Sequence, residues 1–189
     1  LMQMQAMNSD NDELNRKLLE SILRIKSMAG IHEQLYQAQN FSKLQFSDSL
    51  KSLSENIVDT LQTETEVELK LDLETIELNI NQSVPCSLLI NEVITNILKH
   101  GFEGKDKGTI QIQTEVENDL ITIRIVDDGV GLPDNFDEKK HTSLGLELID
   151  LLSKQLDGEN QYLSNGNGTT FELKFQRADV KGAASGFLV

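Results

Sequence analysis

Apolar residues in the first forty positions recur at helical spacing. Leu18, Ile22, Ile25, Ala29, His32 and Tyr36 follow one another at intervals of four, three, four, three and four, a heptad-like seam. Asp10 with Glu13 has the spacing of a capping box, so the helix is expected to start there, after a turn over residues 8–11. Residues 1–7 read as the end of an earlier helix. A one-sided helix of about seven turns has no small globular core to bury its stripe, which predicts a helical hairpin or bundle completed by a second copy of the chain. Residues 40–45 break the pattern.

Beyond them the period changes. Ser47 can cap a helix whose apolar face is Leu50, Leu53, Ile57 and Leu61. Val67, Leu69, Leu71 and Leu73 alternate strictly, as a half-buried strand does, and Ile76, Leu78 and Ile80 suggest a second, short one. Ser83-Val84-Pro85 opens a helix running to about His100. Strands are expected over 109–116 and 120–127, joined at Asn118-Asp119, and a glycine-rich, charged loop over 128–143. A helix over 144–157 carries Leu148, Ile149, Leu151, Leu152 and Leu156 and ends at Gly158. The Asn165-Gly166-Asn167-Gly168 turn leads into a last strand with Phe171, Leu173 and Phe175 inward. Segregated hairpins and helices argue an α+β fold: a helical hairpin followed by an α/β sandwich whose mixed sheet is covered by helices on one face. The expected organisation is residues 1–40, a helical hairpin lacking most of its first helix; 41–177, the sandwich domain; and 178–189, a weakly patterned tail.

Four segments carry candidate chemistry. On the 84–100 helix, Leu89, Val93 and Ile97 form one stripe and Ile90, Ile94 and Leu98 the next, while Glu92, Asn96 and Lys99 stand at i, i+4 and i+7 and so share a polar face. A carboxylate, an amide and an ammonium there suit a hydrated Mg²⁺ and a phosphate chain, because Mg²⁺ prefers oxygen ligands and keeps several waters. They equally suit an ordinary solvated face. Asp127-Asp128-Gly129-Val130-Gly131 leaves a strand end, where a carboxylate accepts a hydrogen bond from an adenine amino group and glycines let the backbone approach a flat ring; a tight turn uses the same residues. Ser143-Leu144-Gly145-Leu146 begins a helix whose free N–H groups attract phosphate, or which Ser143 simply caps. Gly168-Thr169-Thr170-Phe171 opens the last strand, or is no more than a hairpin turn.

In this order and on these elements, the four segments resemble the N, G1, G2 and terminal G-T-x-F motifs of the histidine-kinase, gyrase and chaperone ATPase superfamily, over residues 84–171. Arg24-Ile25-Lys26-Ser27-Met28-Ala29-Gly30-Ile31-His32-Glu33-Gln34-Leu35-Tyr36 and Asn91-Glu92-Val93-Ile94-Thr95-Asn96-Ile97-Leu98-Lys99-His100 resemble the HisKA_2 group of histidine kinases. The resemblance implies a Bergerat ATP-binding fold in which Asn96 ligates Mg²⁺, Lys99 reaches the phosphates and Asp127 reads adenine, with Gly129, Gly131 and Gly145 shaping pocket and lid. It extends the ATP site to Asn91, His100, Leu144 and Leu146, and to Thr169 and Thr170 of the last motif. Glu92 falls where the superfamily's hydrolases keep a general base, and Glu92, Asn96 and Lys99 make the implied catalytic set. The phosphoacceptor histidine of these kinases lies on the first helix, which residues 1–7 end without a histidine. His32 lies on the apolar seam and is followed by Glu33-Gln34-Leu35, unlike the acceptor motif, so it reads as a packed residue and the chain is expected not to phosphorylate itself. Two departures concern the lid: His141-Thr142-Ser143 replaces the leading Gly-x-Gly of G2, and residues 133–143 are short, with Phe136 but no phenylalanine box.

Net charge sharpens the functional classes. At −14 the chain has no basic patch for nucleic acid, and an ATP site must overcome the background field through Mg²⁺, backbone N–H groups and local cations. Lys99, His100, Lys139, Lys140 and His141 supply those cations. No apolar run approaches the ~20 residues of a membrane span, no signal peptide is visible, and the lone Cys86 fits a reducing cytoplasm. With Leu1 first, the chain reads as a piece of a longer protein. The leading expectation is a cytoplasmic, homodimeric sensor histidine kinase core that binds Mg-ATP and feeds a response-regulator receiver domain. The alternatives are a non-catalytic, anti-sigma-like ATP-binding module gripping a protein partner, and a water-using ATPase built on Glu92, which would bring a transducer domain.

Overall fold

Strict alternation builds the sheet. The computed structural model describes residues 44–61, 65–133, 135–136, 143–164 and 166–178, all within the second of the two units into which the chain divides, Leu1–Gln39 and Asn40–Val189. The helix and dimer seam expected over 10–36, the lid residues Lys139, Lys140 and His141, and the tail from 179 lie outside the described residues. Within them the order is β1 (Leu44–Gln45), α1 (Phe46–Thr60), β2 (Glu66–Leu73), β3 (Glu77–Leu78), α2 (Ile80–Asn96), a wide π-type turn (Ile97–Gly101), β4 (Lys107–Glu117), β5 (Leu120–Asp127), α3 (Leu144–Gln155), β6 (Glu159–Ser164) and β7 (Thr169–Gln176). The main sheet runs β2-β4-β5-β7-β6, with β2 parallel to β4 and every other neighbour antiparallel. It is a mixed sheet in an α+β fold.

One sheet face is core. Ile110 and Ile112 of β4, Ile121, Ile123 and Ile125 of β5, and Phe171, Leu173 and Phe175 of β7 are buried, as are Leu89, Ile90, Val93 and Ile94 of α2, which packs between α1 and α3. The other face is a polar lattice. The register sets Gln113, Arg124, Glu172 and Gln161 in one row across four strands. There the Arg124 guanidinium donates to Glu172 (2.7 Å) and Glu115 (2.9 Å), and Gln161 donates to Glu172 (2.8 Å). The Lys174 ammonium, together with Arg124 and Gln161, holds the Glu172 carboxyl down to about 2. Asn118 and Asp119 both take positive φ, 50° and 66°, the backbone twist of a two-residue hairpin between β4 and β5.

Four local expectations are corrected. The helix expected from Ser83 starts at Ile80, because Asn79 caps it by accepting the Gln82 N–H (3.1 Å); Pro85 sits inside the helix, in its second turn. The short second strand suggested by Ile76, Leu78 and Ile80 is present but covers only Glu77–Leu78, which pairs with β1, while Ile80 belongs to α2. Leu151, expected on the apolar face of α3, is 63% exposed, and Leu144 is 67% exposed. Gly158 does follow that helix, but the left-handed residue that ends it is Asp157 (φ 51°), with the Asp157 and Gly158 N–H groups bonded to the Lys154 and Ser153 carbonyls, a Schellman closure. One strand, β6, carries no clear alternation: polar residues occupy both faces of this edge strand.

The turn after α2 is fixed by a close packing of ring on backbone. A Cβ on Gly108 would stand 2.4 Å from the Phe102 ring, which is buried. Gly108→Ala is therefore expected to destabilise the domain by about 1–3 kcal/mol through overpacking. Urea unfolding measures this, and Phe102→Leu in the same chain should return part of the loss. An unchanged midpoint in Gly108→Ala would show that the ring is free to move aside.

Candidate functional site

The C-terminal end of β5 opens into a cavity of about 490 Å³. Its apolar walls come from Val93 and Ile97 of α2 and the wide turn, Ile125 of β5, Leu146 of α3 and Phe171 of β7. Three rings extend the wall: Phe136 and Tyr162 lie 5.1 Å apart, and Tyr162 and Phe171 5.0 Å apart, each pair tilted by about 60°. The strand register explains the second contact, since Ile125, Phe171 and Tyr162 are direct cross-strand neighbours. The Tyr162 hydroxyl is buried without a hydrogen-bond partner, and burial pushes the phenol pKa up.

Asp127, the last residue of β5, is 4% exposed and lines this cavity. Burial raises its carboxyl above the ordinary range, and neighbouring Asp128 pushes the same way. Fixed donors oppose them: the Gly129 N–H at 2.8 Å, and the Thr169 N–H and hydroxyl. The backbone around the carboxylate leaves no room for side chains. A Cβ on Gly129 would stand 2.1 Å from the Gly101 carbonyl oxygen, and one on Gly168, at φ +124°, 2.0 Å from the Asp127 carbonyl oxygen.

The loop that follows is tied down on both sides. Val130 donates to the Gly101 carbonyl (2.7 Å), and Thr109 donates to the Asp128 carboxylate (2.7 Å). On the other side, the Leu132 N–H donates to Ser164 Oγ (3.1 Å), whose hydroxyl donates to the Gly168 carbonyl (2.9 Å). The Lys105 ammonium donates to the Asp128 and Gly129 carbonyls.

The candidate residues separate accordingly. Asn96, His100, Asp127, Gly131, Leu146 and Thr169 line one cavity, and Gly129 lies buried beside it. Glu92, Asn96 and Lys99, expected on one polar face, differ in exposure: Glu92 is 2% exposed, Asn96 is partly buried and Lys99 is exposed. The wide turn begins after Asn96, so Glu92 and Asn96 keep α-helical spacing, while Lys99 lies inside the turn, which advances fewer degrees per residue than an α-helix. Asn91 and Gly145 are buried, Leu144 is exposed, and Thr170 lies on the face of β7 opposite Thr169. Gly101, Lys105, Tyr162 and Ser164 are contributors the sequence reading did not single out. Tyr162 and Ser164 belong to the unrecognised β6, and Gly101 and Lys105 to a turn without periodicity. Among the described residues no group of three or more His, Cys, Asp or Glu is placed to hold a metal, and no helix is long and apolar enough to cross a membrane.

Comparison with known proteins places this geometry. Residues 1–61 match the HisKA_2 histidine kinase family model, and residues 81–179 match the model of histidine kinase-, DNA gyrase B- and HSP90-like ATPases. The sensor histidine kinase PdtaS of Mycolicibacterium smegmatis is 25% identical over 160 residues, covering 84% of this chain and 32% of that protein, so the chain spans about a third of that relative's length. An anti-sigma F factor of Clostridium beijerinckii is 26% identical over 96 residues, 45% of this chain and 64% of that one. The histidine kinase domain of the Erythrobacter litoralis blue-light-activated kinase EL346 shares the fold with a TM-score of 0.72 at 19% identity, over 82% of this chain and 73% of that one. With a match over more than half its length and, among the described residues, a five-stranded mixed sheet beside three helices, the chain belongs to the histidine kinase-, DNA gyrase B- and HSP90-like ATPase family, and its residues 1–61 match the HisKA_2 histidine kinase model.

Proposed function

We propose that this chain is the catalytic core of a cytoplasmic sensor histidine kinase. Its cavity binds Mg-ATP, and the γ-phosphate passes to a histidine and from there to a response-regulator aspartate. The observation that carries the reading is Asp127: a buried carboxylate with its own N–H donors, set in an apolar cavity that also holds Asn96 and His100. A cavity of this volume and lining suits a flat heteroaromatic ring, and Asp127 accepts the hydrogen bond of an adenine amino group. Gly129 and Gly131 let the loop backbone lie against the base. Lys99, and the N–H groups of α3 around Leu144, Gly145 and Leu146, face the phosphates. The reacting groups need positioning and charge neutralisation more than covalent help.

The fit to a metal rests on the donor set. With no carboxylate cluster among the described residues, a divalent cation here takes most of its ligands from phosphates and water, and Asn96 is the side chain that would hold it. Bound Mg²⁺ would supply charge neutralisation across the phosphate chain. Glu92, buried in α2, is a positioning group in this reading rather than a base for water. Residues 1–40 contribute dimerisation helices and 41–177 the ATP-binding domain. The similarity to an anti-sigma F factor supports a second reading, an ATP-binding module that grips a protein partner. The HisKA_2 match over residues 1–61 favours the kinase.

Titration calorimetry with ADP tests the site: Asp127→Ala is expected to bind roughly ten-fold or more weakly, the loss of a directional hydrogen bond of about 1–3 kcal/mol. Equal affinity in the variant would remove Asp127 from the base-reading role.

Given ATP labelled at the γ-phosphate, the chain as it stands is expected to retain no acid-labile label, because residues 1–7 hold no acceptor histidine and His32 is not followed by the acceptor motif. Label that stays on the chain and disappears in His32→Gln would reverse that assignment.

The seam from Leu18 to Tyr36 should hold two copies together, each well-buried Leu or Ile contributing on the order of 1.5–3 kcal/mol. Light scattering at tens of micromolar is expected to give a dimer, and the Ile22→Asp, Ile25→Asp double variant a monomer; a monomeric parent chain would contradict the seam.

A further inference from the structure

The loop that carries Asp127 and Gly129 is held from outside the cavity by one cation. Lys105 sits in the turn between the wide end of α2 and β4. Its own backbone is anchored: its N–H donates to the Phe102 carbonyl (3.0 Å), and its carbonyl accepts the Thr65 hydroxyl (2.7 Å). From this fixed base its ammonium donates to two successive carbonyls of the loop, those of Asp128 and Gly129 (3.2 Å to the latter).

Those two carbonyls belong to peptide units whose opposite ends do specific work. In a planar trans peptide the C=O and the next N–H point in opposite directions. Holding the Asp128 carbonyl toward Lys105 therefore aims the Gly129 N–H the other way, where it meets Asp127 Oδ1 at 2.8 Å. Holding the Gly129 carbonyl toward Lys105 aims the Val130 N–H at the Gly101 carbonyl, 2.7 Å away. An ammonium on the oxygen of a peptide also polarises its N–H, which strengthens the bond that N–H donates.

We infer that Lys105 is a positioning residue of the nucleotide site: it fixes the orientation of the Asp127 carboxylate through the Asp128–Gly129 peptide, anchors the loop through the next peptide, and touches no ligand itself. The inference rests on the nucleotide reading above and deepens it. It assigns Lys105 a role different from that of a cation attracting phosphates. A positioning role acts on the base pocket and is blind to how many phosphates the ligand carries, whereas a phosphate-attracting role grows with them.

The test uses the whole chain with Lys105→Met, which keeps the aliphatic stem and removes the charge, and Lys105→Arg, which keeps charge and donors. Calorimetry is run with adenosine, ADP and Mg-ATP. Lys105→Met is expected to weaken all three by the same factor, about three- to ten-fold for an exposed charge-assisted contact, and Lys105→Arg to recover most of it. In the ligand-free chain, hydrogen exchange at the Gly129 and Val130 amides is expected to speed up in Lys105→Met and not in Lys105→Arg. A loss that rises from adenosine to ADP to Mg-ATP would make Lys105 a phosphate-attracting cation and overturn the inference. So would unchanged affinities, or unchanged exchange at those two amides. A parent chain that binds none of the three ligands would overturn the nucleotide reading and this inference with it; a parent that binds, with a variant indistinguishable from it, overturns this inference alone.

Discussion

A carboxylate taken out of water must be met by donors or give up its charge. At Asp127 that requirement organises everything nearby. The Gly129 amide and Thr169 meet the carboxylate, and neither does so unless the chain bends sharply after β5 and β7 enters beside it in register. Those conditions demand residues without side chains at 129 and 168. They also demand a helix end that brings the Gly101 carbonyl up to Val130, which the wide turn after Asn96 provides. A group that binds by accepting one hydrogen bond in a fixed direction thus depends on contacts from three separate stretches of the chain.

The sheet solves a different problem on its two faces. One side buries isoleucine and phenylalanine against α2. The other carries a row across four strands in which two amides flank an Arg–Glu pair, and Glu172 is met by Arg124, Gln161 and Lys174 together. A carboxylate with three donors stays ionised to unusually low pH, so this face keeps its polarity where isolated surface pairs would lose theirs. In a chain of net charge −14, placing three donors around one acid limits the self-repulsion that an open acidic face would create.

What was legible in the sequence was local. The alternation of Val67, Leu69, Leu71 and Leu73, the Asn118-Asp119 turn and the glycines after Asp127 each write their conformation into neighbouring residues. The fold class followed from that, while the grouping of Asn96, Asp127 and Thr169 came from the resemblance of their motifs to the ATPase superfamily. The features that escaped depend on distant partners. Strand β6 is polar on both faces because it lies at an edge, so periodicity does not reveal it, and Tyr162 and Ser164 went unnoticed with it. The start of α2 was misplaced because Pro85 is the louder signal, although Asn79 is the working cap. Regular helical spacing relates Glu92 to Asn96, but Lys99 falls in the wide turn, where that spacing no longer holds. Lys105 looked like any surface lysine, since its partners are carbonyls more than twenty residues away.

The parallel pairing of β2 with β4 has a consequence for the order of events in folding. That pair joins Glu66 to Lys107 across the whole of α2, and β7 pairs with Val126 across α3 and β6. Contacts so distant along the chain close late, once most of the loop entropy has been lost. The cavity therefore has no partial version: a chain with only its local helices and the β4–β5 hairpin holds Asp127 in water, without Thr169 beside it. A ligand of this site recognises only the completed topology, so it acts as a thermodynamic check on folding and adds its binding free energy entirely to the native side of the balance.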